Sequence, residues 1–155
     1  MISRLLTLCL VAALAACAPA PGTERLSAGR TVDIASAATQ ISVQRAGTGI
    51  LRPVIHSPAL QGAAQSHADD LARSGAISHV GSDGSTLQGR LQRAGYTACV
   101  SVENIARGTS DIRTTIAEWM ASDGHRANLL NAAVTQFGFA RSTDNVWVLV
   151  MARPC

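Results

Sequence analysis

Near its C-terminus the chain carries a nearly unbroken apolar run, Val146-Trp147-Val148-Leu149-Val150-Met151-Ala152. A short apolar run rich in β-branched residues is typical of an inner strand that is covered on both faces. A polar turn at residues 142–145 separates it from Phe137-Gly138-Phe139-Ala140, so we expect the two segments to pair as a hairpin. This region therefore predicts the centre of a small, mainly antiparallel sheet.

The segments before this hairpin show helical spacing instead. Ser57 followed by Pro58 is a start signal, because serine caps a first turn and proline is favoured at the first helical position. Small and apolar residues then lie on one face until Gly75 ends the helix. Further predicted elements are a helix from Thr31 to Gly47, a turn at 82–85, a helix from Leu87 to Gly95, a strand from Cys99 to Ile105, a helix from Ser110 or Asp111 that stops near Gly124, and a turn at 128–130. Helices early and a hairpin late imply an α+β fold with helices on both sides of the sheet.

The first thirty residues predict export and attachment to a membrane. A positive start is followed by apolar residues 5–14, a run too short to span a bilayer comfortably. Leu14-Ala15-Ala16-Cys17 resembles the bacterial lipobox, whose cysteine is acylated; an ordinary signal peptide with a coincidental cysteine is the alternative. Alanine at position 18 favours, by the same resemblance, an outer-membrane lipoprotein of the cell envelope that faces the periplasm or the cell surface. We predict a lipoprotein signal peptide at 1–16, a lipidated Cys17 with a flexible tether at 17–30, and one domain at 31–155.

The remaining cysteines predict a disulfide bond. Cys9 leaves with the signal peptide and Cys17 takes the lipid, so Cys99 and Cys155 remain in a compartment that permits oxidation. A reactive catalytic thiol is the alternative, but neither cysteine has a base in its local sequence. The expected disulfide joins Cys99 to Cys155 and stabilises the fold by roughly 2–4 kcal/mol.

Composition excludes several classes of function. All 13 basic residues are arginine, so chemistry that needs a lysine, such as a Schiff base, is excluded. The arginines are scattered among 10 acidic residues, and the chain has five aromatic residues in total. We therefore expect no nucleic-acid partner. The net charge of +3 fits a surface that tolerates anionic wall polymers or head groups.

Three candidate site residues lie where a helix or strand should begin or end. His79 follows Ile77-Ser78, Glu103 starts Glu-Asn-Ile-Ala, and His125 stands in Ser-Asp-Gly-His-Arg. Two histidines and a glutamate can share a proton or hold a divalent ion near neutral pH. Alternatively, Glu103 bonds backbone N–H groups and His125 caps a helix. His67, at the edge of an apolar helical stripe, fits a core histidine better than a ligand.

With these elements in place, the chain resembles the bacterial branch of the CAP superfamily, which includes cysteine-rich secretory proteins, venom antigens and plant pathogenesis-related proteins. The resemblance covers residues 31–155. It rests on motifs that occur in one order: residues 63–72, Ser78-His79, Asp83-Gly84, Arg90, residues 94–96, residues 103–108, Glu118-Trp119, residues 122–131 and residues 137–139. The resemblance implies the family's α-β-α sandwich.

The resemblance also implies a central cleft lined by two histidines and one or two acids, in which some members bind zinc or another divalent ion. His79 matches the first histidine and Glu103 the first acid, whereas His125 matches the bacterial Gly-His-Arg motif. Animal members carry a second acid after the tryptophan, where this chain reads Met120-Ala121-Ser122. His79, Glu103 and His125 would thus form a three-ligand site for a metal such as zinc, and no cofactor is required.

Three classes of function remain. The preferred hypothesis is a non-enzymatic binding module whose cleft takes a lipid, a cell-wall fragment or a peptide. The second is a structural envelope protein with a vestigial cleft. The third is a metal-dependent hydrolase with Glu103 as the base; it lacks support, because the chain has no Gly-x-Ser-x-Gly or His-Glu-x-x-His motif.

Overall fold

The computed structural model describes residues 31–155. The signal peptide, the lipidated Cys17 and the tether predicted for residues 1–30 lie outside the described residues. Within residues 31–155 the elements follow in the order α1 (Ile34–Ala46), β1 (Ile55–His56), α2 (Pro58–Ser74), α3 (Leu87–Arg93), β2 (Ala98–Arg107), α4 (Ile112–Ala121), α5 (Asp123–Leu129), β3 (Gln136–Arg141) and β4 (Val146–Pro154). In this part of the chain, no helix is both long and apolar enough to cross a membrane.

The strands form one sheet in the order β1-β3-β4-β2. β4 pairs antiparallel with both β2 and β3, and β1 pairs parallel with β3. The apolar run of β4 is buried, and its side chains alternate between two cores. Trp147, Leu149 and Met151 pack with residues of α1, α4 and α5, whereas the even-numbered residues 146–152 pack with α2 and α3. The predicted α+β, three-layer α-β-α sandwich with a mainly antiparallel sheet is therefore confirmed.

Two glycines allow the close contact and the turn that this packing requires. Gly138 of β3 lies against α2 so closely that a Cβ atom would come within 2.2 Å of the Gln61 backbone nitrogen. The Gln61 side chain locks the same contact, because its amide donates to the Phe139 carbonyl at 3.1 Å and accepts from the Phe139 N–H at 2.9 Å. Gly75 ends α2 with φ = 72°, a left-handed conformation that favours glycine.

Several element boundaries differ from the sequence predictions. Asp33, rather than Thr31, caps α1, and its carboxylate accepts from the Ser36 N–H at 3.1 Å. Gly124 does not end a helix: Ser122 adopts an extended conformation that interrupts the helical path, and Gly124 then lies inside α5. The expected turn at residues 128–130 is consequently the end of that helix. The strand β1 was not predicted, because two residues are too few to show an alternating pattern.

The predicted disulfide bond is confirmed. Cys99 on β2 and Cys155 after β4 are bonded, with their Cα atoms 4.8 Å apart and a sequence separation of 56. The antiparallel pairing explains the contact, since Ala98 lies opposite Pro154. The bond therefore fastens the C-terminus to the edge strand that carries Glu103.

Candidate functional site

The carboxylate of Glu103 is buried and both of its oxygens have partners. Glu103 lies on β2, and its side chain is 2% exposed. Its Oε2 accepts from Arg90 Nη2 at 2.8 Å, and its Oε1 accepts from His79 Nδ1 at 2.9 Å. The guanidinium compensates the charge that burial would otherwise make costly. Glu103 is thus held from two sides.

Arg90 was matched only as part of a motif, yet it organises this region. It lies on α3, buried, and its Nη1 donates to the Ser85 carbonyl at 2.9 Å. Both terminal nitrogens also donate to the His79 carbonyl at 3.2 Å. Arg90 therefore fixes the backbone of His79 and the carboxylate that binds its ring. A lone arginine in a short helix gives no signal from which this role could be predicted.

His67, on α2, lies beside the same carboxylate. It is 1% exposed, as its place on the apolar stripe predicts, and its Nε2 lies 3.0 Å from the Ser78 carbonyl and 3.8 Å from Glu103 Oε1. Both neighbours are acceptors, so Nε2 carries the proton. Burial lowers the pKa of His67, and the opposing effect of the Glu103 charge is smaller, so the ring is neutral at pH 7. Sequence reasoning missed its closeness to Glu103.

The loop that carries His79 is held by an arginine from the neighbouring strand. Arg107 on β2 donates to the Gly75 carbonyl at 2.9 Å and to the Leu71 carbonyl at 3.0 Å. The His79 side chain at the end of this loop is 63% exposed. With Nδ1 bonded to Glu103, Nε2 is the ring nitrogen that is available to a further partner. His79 therefore contacts a buried carboxylate through one ring nitrogen, while most of its side chain is exposed to solvent.

His125 lies near this pair but does not bond to it. The Asn104 side chain donates to the His125 carbonyl at 3.0 Å and accepts from Asn128 Nδ2 at 2.9 Å, which ties α5 to β2. The pKa of His125 lies below its ordinary value because burial disfavours the charged ring and, second, because His79 repels it. Within residues 31–155, the His125 ring makes no hydrogen bond. The structure thus bonds the His79 ring to Glu103. His125 is held near this pair by the hydrogen bond from Asn104 to the His125 carbonyl.

A cleft of about 380 Å³ is lined by His125, but not by His79 or Glu103. Its lining is Ile77, Ile105, Ala106, Arg107, Glu118, Trp119, Ser122 and His125. Glu118 was noted in the sequence as part of a motif and not as a site residue, although it brings an acid to the cleft from α4. The lining of the cleft therefore combines apolar side chains with charged ones. A larger cavity of about 560 Å³ lies between the N-terminal ends of α1 and α4 and contains none of the predicted site residues.

The candidate residues do not fit a metal ion in this arrangement. In the described part of the chain, no group of three or more His, Cys, Asp or Glu side chains is placed to hold one. The reason is visible at Glu103, where one oxygen takes the His79 proton and the other takes a guanidinium that would repel a cation. His125 brings no third donor into contact with the pair. In this arrangement the side chains of His79, Glu103 and His125 therefore do not form one set of metal donors.

The family model for the cysteine-rich secretory protein family, CAP, matches residues 42–151. No curated protein matches the chain. Among solved structures, an extracellular protein with an SCP domain from Bacillus anthracis is 27% identical, with a TM-score of 0.68 over 77% of this chain and 41% of that one. An outer surface protein from Borrelia burgdorferi is 20% identical, with a TM-score of 0.70 over 79% and 93%. A cysteine-rich secretory protein from Staphylococcus aureus is 24% identical, with a TM-score of 0.62 over 76% and 38%.

The share of each chain that a match covers determines what the match shows. This chain spans less than half of the Bacillus and Staphylococcus chains, so their additional parts have no counterpart in the matched region. The family model, in contrast, covers well over half of this chain, including Glu103 on β2 and His125 on α5. The chain therefore belongs to the CAP family of cysteine-rich secretory proteins.

Proposed function

We propose that this protein is a non-enzymatic binding module of the cell envelope and that its ligand binds in the cleft beside His79, Glu103 and His125. The observation that carries the proposal is the state of Glu103. A general base must present a free oxygen to water or substrate, and both oxygens of Glu103 are already engaged in a buried ion pair and a hydrogen bond. Glu103 therefore supports His79 rather than reacting.

The lining of the cleft indicates the kind of ligand. Ile77, Ile105 and Trp119 provide an apolar wall, while Arg107 and Glu118 provide charge. His125 belongs to the same lining, whereas the exposed ring of His79 lies outside it. An apolar cavity with a few polar groups suits an amphiphilic ligand, such as a lipid, a cell-wall fragment or a peptide with an apolar side chain.

The envelope location is supported by two lines of argument. The similar Bacillus anthracis and Borrelia burgdorferi structures are described as an extracellular and an outer surface protein, respectively. The disulfide between Cys99 and Cys155 suits an oxidising compartment outside the cytoplasm. Lipidation at Cys17 would hold the domain at a membrane face, where lipid and wall ligands are present.

Tryptophan fluorescence provides a direct test, because Trp119 lines the cleft and Trp147 does not. The full chain is titrated separately with a lysophospholipid, a muropeptide and an apolar hexapeptide. We expect one probe to bind, and His79→Ala and His125→Ala each to weaken it at least about tenfold with an unchanged melting temperature. Leu51→Ala, at an exposed residue away from the cleft, is the control. Failure of all three probes to bind would overturn the proposal, as would turnover of a probe that Glu103→Gln abolishes.

A further inference from the structure

Two opposite charges line the cleft, and within residues 31–155 neither has an ion-pair partner. Arg107 belongs to β2 and Glu118 to α4, and both residues are exposed. They do not pair with each other either, so each side chain keeps its charge available. The cleft thus presents one cation and one anion beside apolar side chains, an arrangement that is complementary to a small zwitterion.

The guanidinium of Arg107 is held in place and still has donors to offer. Its Nη1 donates to the Gly75 carbonyl at 2.9 Å, and its Nη2 donates to the Leu71 and Ala76 carbonyls at 3.0 and 3.4 Å. These three bonds leave two of the five N–H donors of an arginine side chain. A carboxylate is the acceptor that forms short, strong hydrogen bonds with a guanidinium. Arg107 is therefore a preorganised binding group for a carboxylate.

The Glu118 carboxylate also has no partner. It makes no hydrogen bond within the described part of the chain, and the neighbouring Trp119 anchors this turn of α4 in the core. The remaining ionisable side chain of the lining is His125, and burial lowers the pKa of its ring, so the ring is neutral at pH 7. An ammonium group, with its positive charge and three N–H donors, is the ligand group that suits the Glu118 carboxylate.

The apolar surface of the cleft is small. Ile105 and Trp119 are 6% and 1% exposed, so the large apolar side chain that the lining exposes is Ile77, at 50%. The cleft volume of about 380 Å³ lies near the lower end of the range for small-molecule sites. An acyl chain gains affinity in proportion to the apolar area that it buries. This surface therefore favours one short aliphatic side chain over a long acyl chain.

We infer that the cleft binds a short peptide with two free termini, its carboxylate at Arg107, its ammonium group at Glu118 and an aliphatic side chain at Ile77. The inference rests on the function proposed above and names the ligand class of the same cleft. A peptide of about three residues is small enough for such a cleft, and its termini supply both charges. A zwitterionic lysophospholipid carries the same two charges on a long chain, so the test must separate the two.

The test follows backbone amide shifts of the full chain by NMR during titration with alanyl-leucyl-alanine. The tripeptide is used in four forms: unmodified, N-acetylated, C-amidated, and with both ends capped. We expect the unmodified form to shift the amides of Ile77, Ala106 and Ser122, with a dissociation constant of about 1 mM, the range of weak binding. Each cap removes one charge and should weaken binding about twofold to fivefold, as expected for an exposed ion pair.

Glu118→Gln tests the position of the ammonium group. The variant changes an exposed side chain to one of similar shape, so it should fold normally. It should bind the unmodified tripeptide about twofold to fivefold more weakly and no longer distinguish it from the N-acetylated form. Amidation should still weaken its binding, because Arg107 is intact. The control Asp144→Asn removes the same charge from the exposed turn between β3 and β4, outside the cleft, and should bind all four forms normally.

Three results would overturn the inference. The first is an affinity for the tripeptide that either cap leaves unchanged, and the second is a Glu118→Gln variant that still distinguishes the acetylated form. The third is the absence of shifts at about 10 mM tripeptide, a concentration that detects millimolar affinity. If lysophosphatidylethanolamine or a muropeptide then binds and His125→Ala weakens its binding, the proposed function stands with another ligand. If no probe binds, that function fails as well.

Discussion

Replacing Arg90 with methionine is expected to destabilise the protein by about 3–5 kcal/mol, because this change leaves a buried carboxylate without its cation. The Arg90 and Glu103 side chains are 4% and 2% exposed, and the atoms that join them are 2.8 Å apart. The change also removes the hydrogen bonds from Arg90 to the His79 and Ser85 carbonyls. Since small domains are stable by about 5–15 kcal/mol in total, the variant should lose a large share of its stability.

Removing both charges should cost much less than removing one. In the double variant Arg90→Met with Glu103→Leu, no charge remains buried, and apolar side chains of similar size fill the space. We therefore expect the double variant to be more stable than Arg90→Met alone. Arg93→Met on the same helix is the matched control, because its pair with Asp83 is 60% and 53% exposed and exposed pairs contribute little.

Urea denaturation, followed by tryptophan fluorescence, measures these differences, and a thermal scan should show a decrease of about 10 °C or more for Arg90→Met. Two outcomes contradict the reasoning. One is a loss below about 1 kcal/mol for Arg90→Met, which would mean that Glu103 does not depend on this pair. The other is a double variant less stable than Arg90→Met, which would mean that the carboxylate is stabilised by partners other than Arg90.

The disulfide, the buried histidine and the lipobox each give one further prediction. Replacing Cys99 and Cys155 together by alanine should lower stability by roughly 2–4 kcal/mol in urea denaturation, and an unchanged midpoint would contradict the role of the disulfide. Because burial depresses the pKa of His67, the stability that it contributes is present above its unfolded pKa of about 6.5 and is lost as pH falls toward the lower folded pKa. His67→Leu should therefore reduce the dependence of the denaturation midpoint on pH below about 6.5, whereas an unchanged dependence would mean that other groups cause it. Labelled palmitate should appear on the full chain in cells and be absent from Cys17→Ala, and labelling that persists would place the lipid elsewhere.

The fold could be predicted largely from local signals. Ser57-Pro58 and Gly75 bracket α2 because each has a backbone preference that acts within a few residues. The apolar run at 146–152 predicted a strand buried on both faces because burial alone determines such a composition. Gly124 misled the prediction, since the break depends on the extended backbone of Ser122 and not on the glycine.

The candidate site was predictable in part only, because its contacts join distant segments. Arg90 lies 13 residues from Glu103, and their pairing depends on how α3 packs on β2. The apolar stripe of α2 predicted that His67 lies in the core. No sequence pattern predicts that its buried ring also lies beside the Glu103 carboxylate. Glu118 reaches the cleft through the orientation of α4, which is set by the packing of Trp119.

The adjacent residues Glu103 and Asn104 serve opposite faces of the sheet. Successive side chains of a strand point to opposite faces, so Glu103 lies on the α2 and α3 side while Asn104 lies on the α5 side. Their register agrees, since Glu103 is opposite Val150 and Asn104 is opposite Leu149, which belong to the two different cores. One dipeptide therefore ties His79 and His125 to the sheet from both layers.

This pair also lies on an edge strand, where backbone groups need partners from outside the sheet. β2 ends the sheet order β1-β3-β4-β2, so among the described strands none bonds its outer carbonyls. Asn128 donates to the Glu103 carbonyl at 3.0 Å, and Trp119 Nε1 donates to the Ile105 carbonyl at 3.3 Å. Side chains of α4 and α5 thus cover the edge, and Trp119 also lines the cleft. Asn128, which covers this edge, also donates to the Asn104 side chain that holds the His125 carbonyl, so one residue both protects the sheet and positions His125.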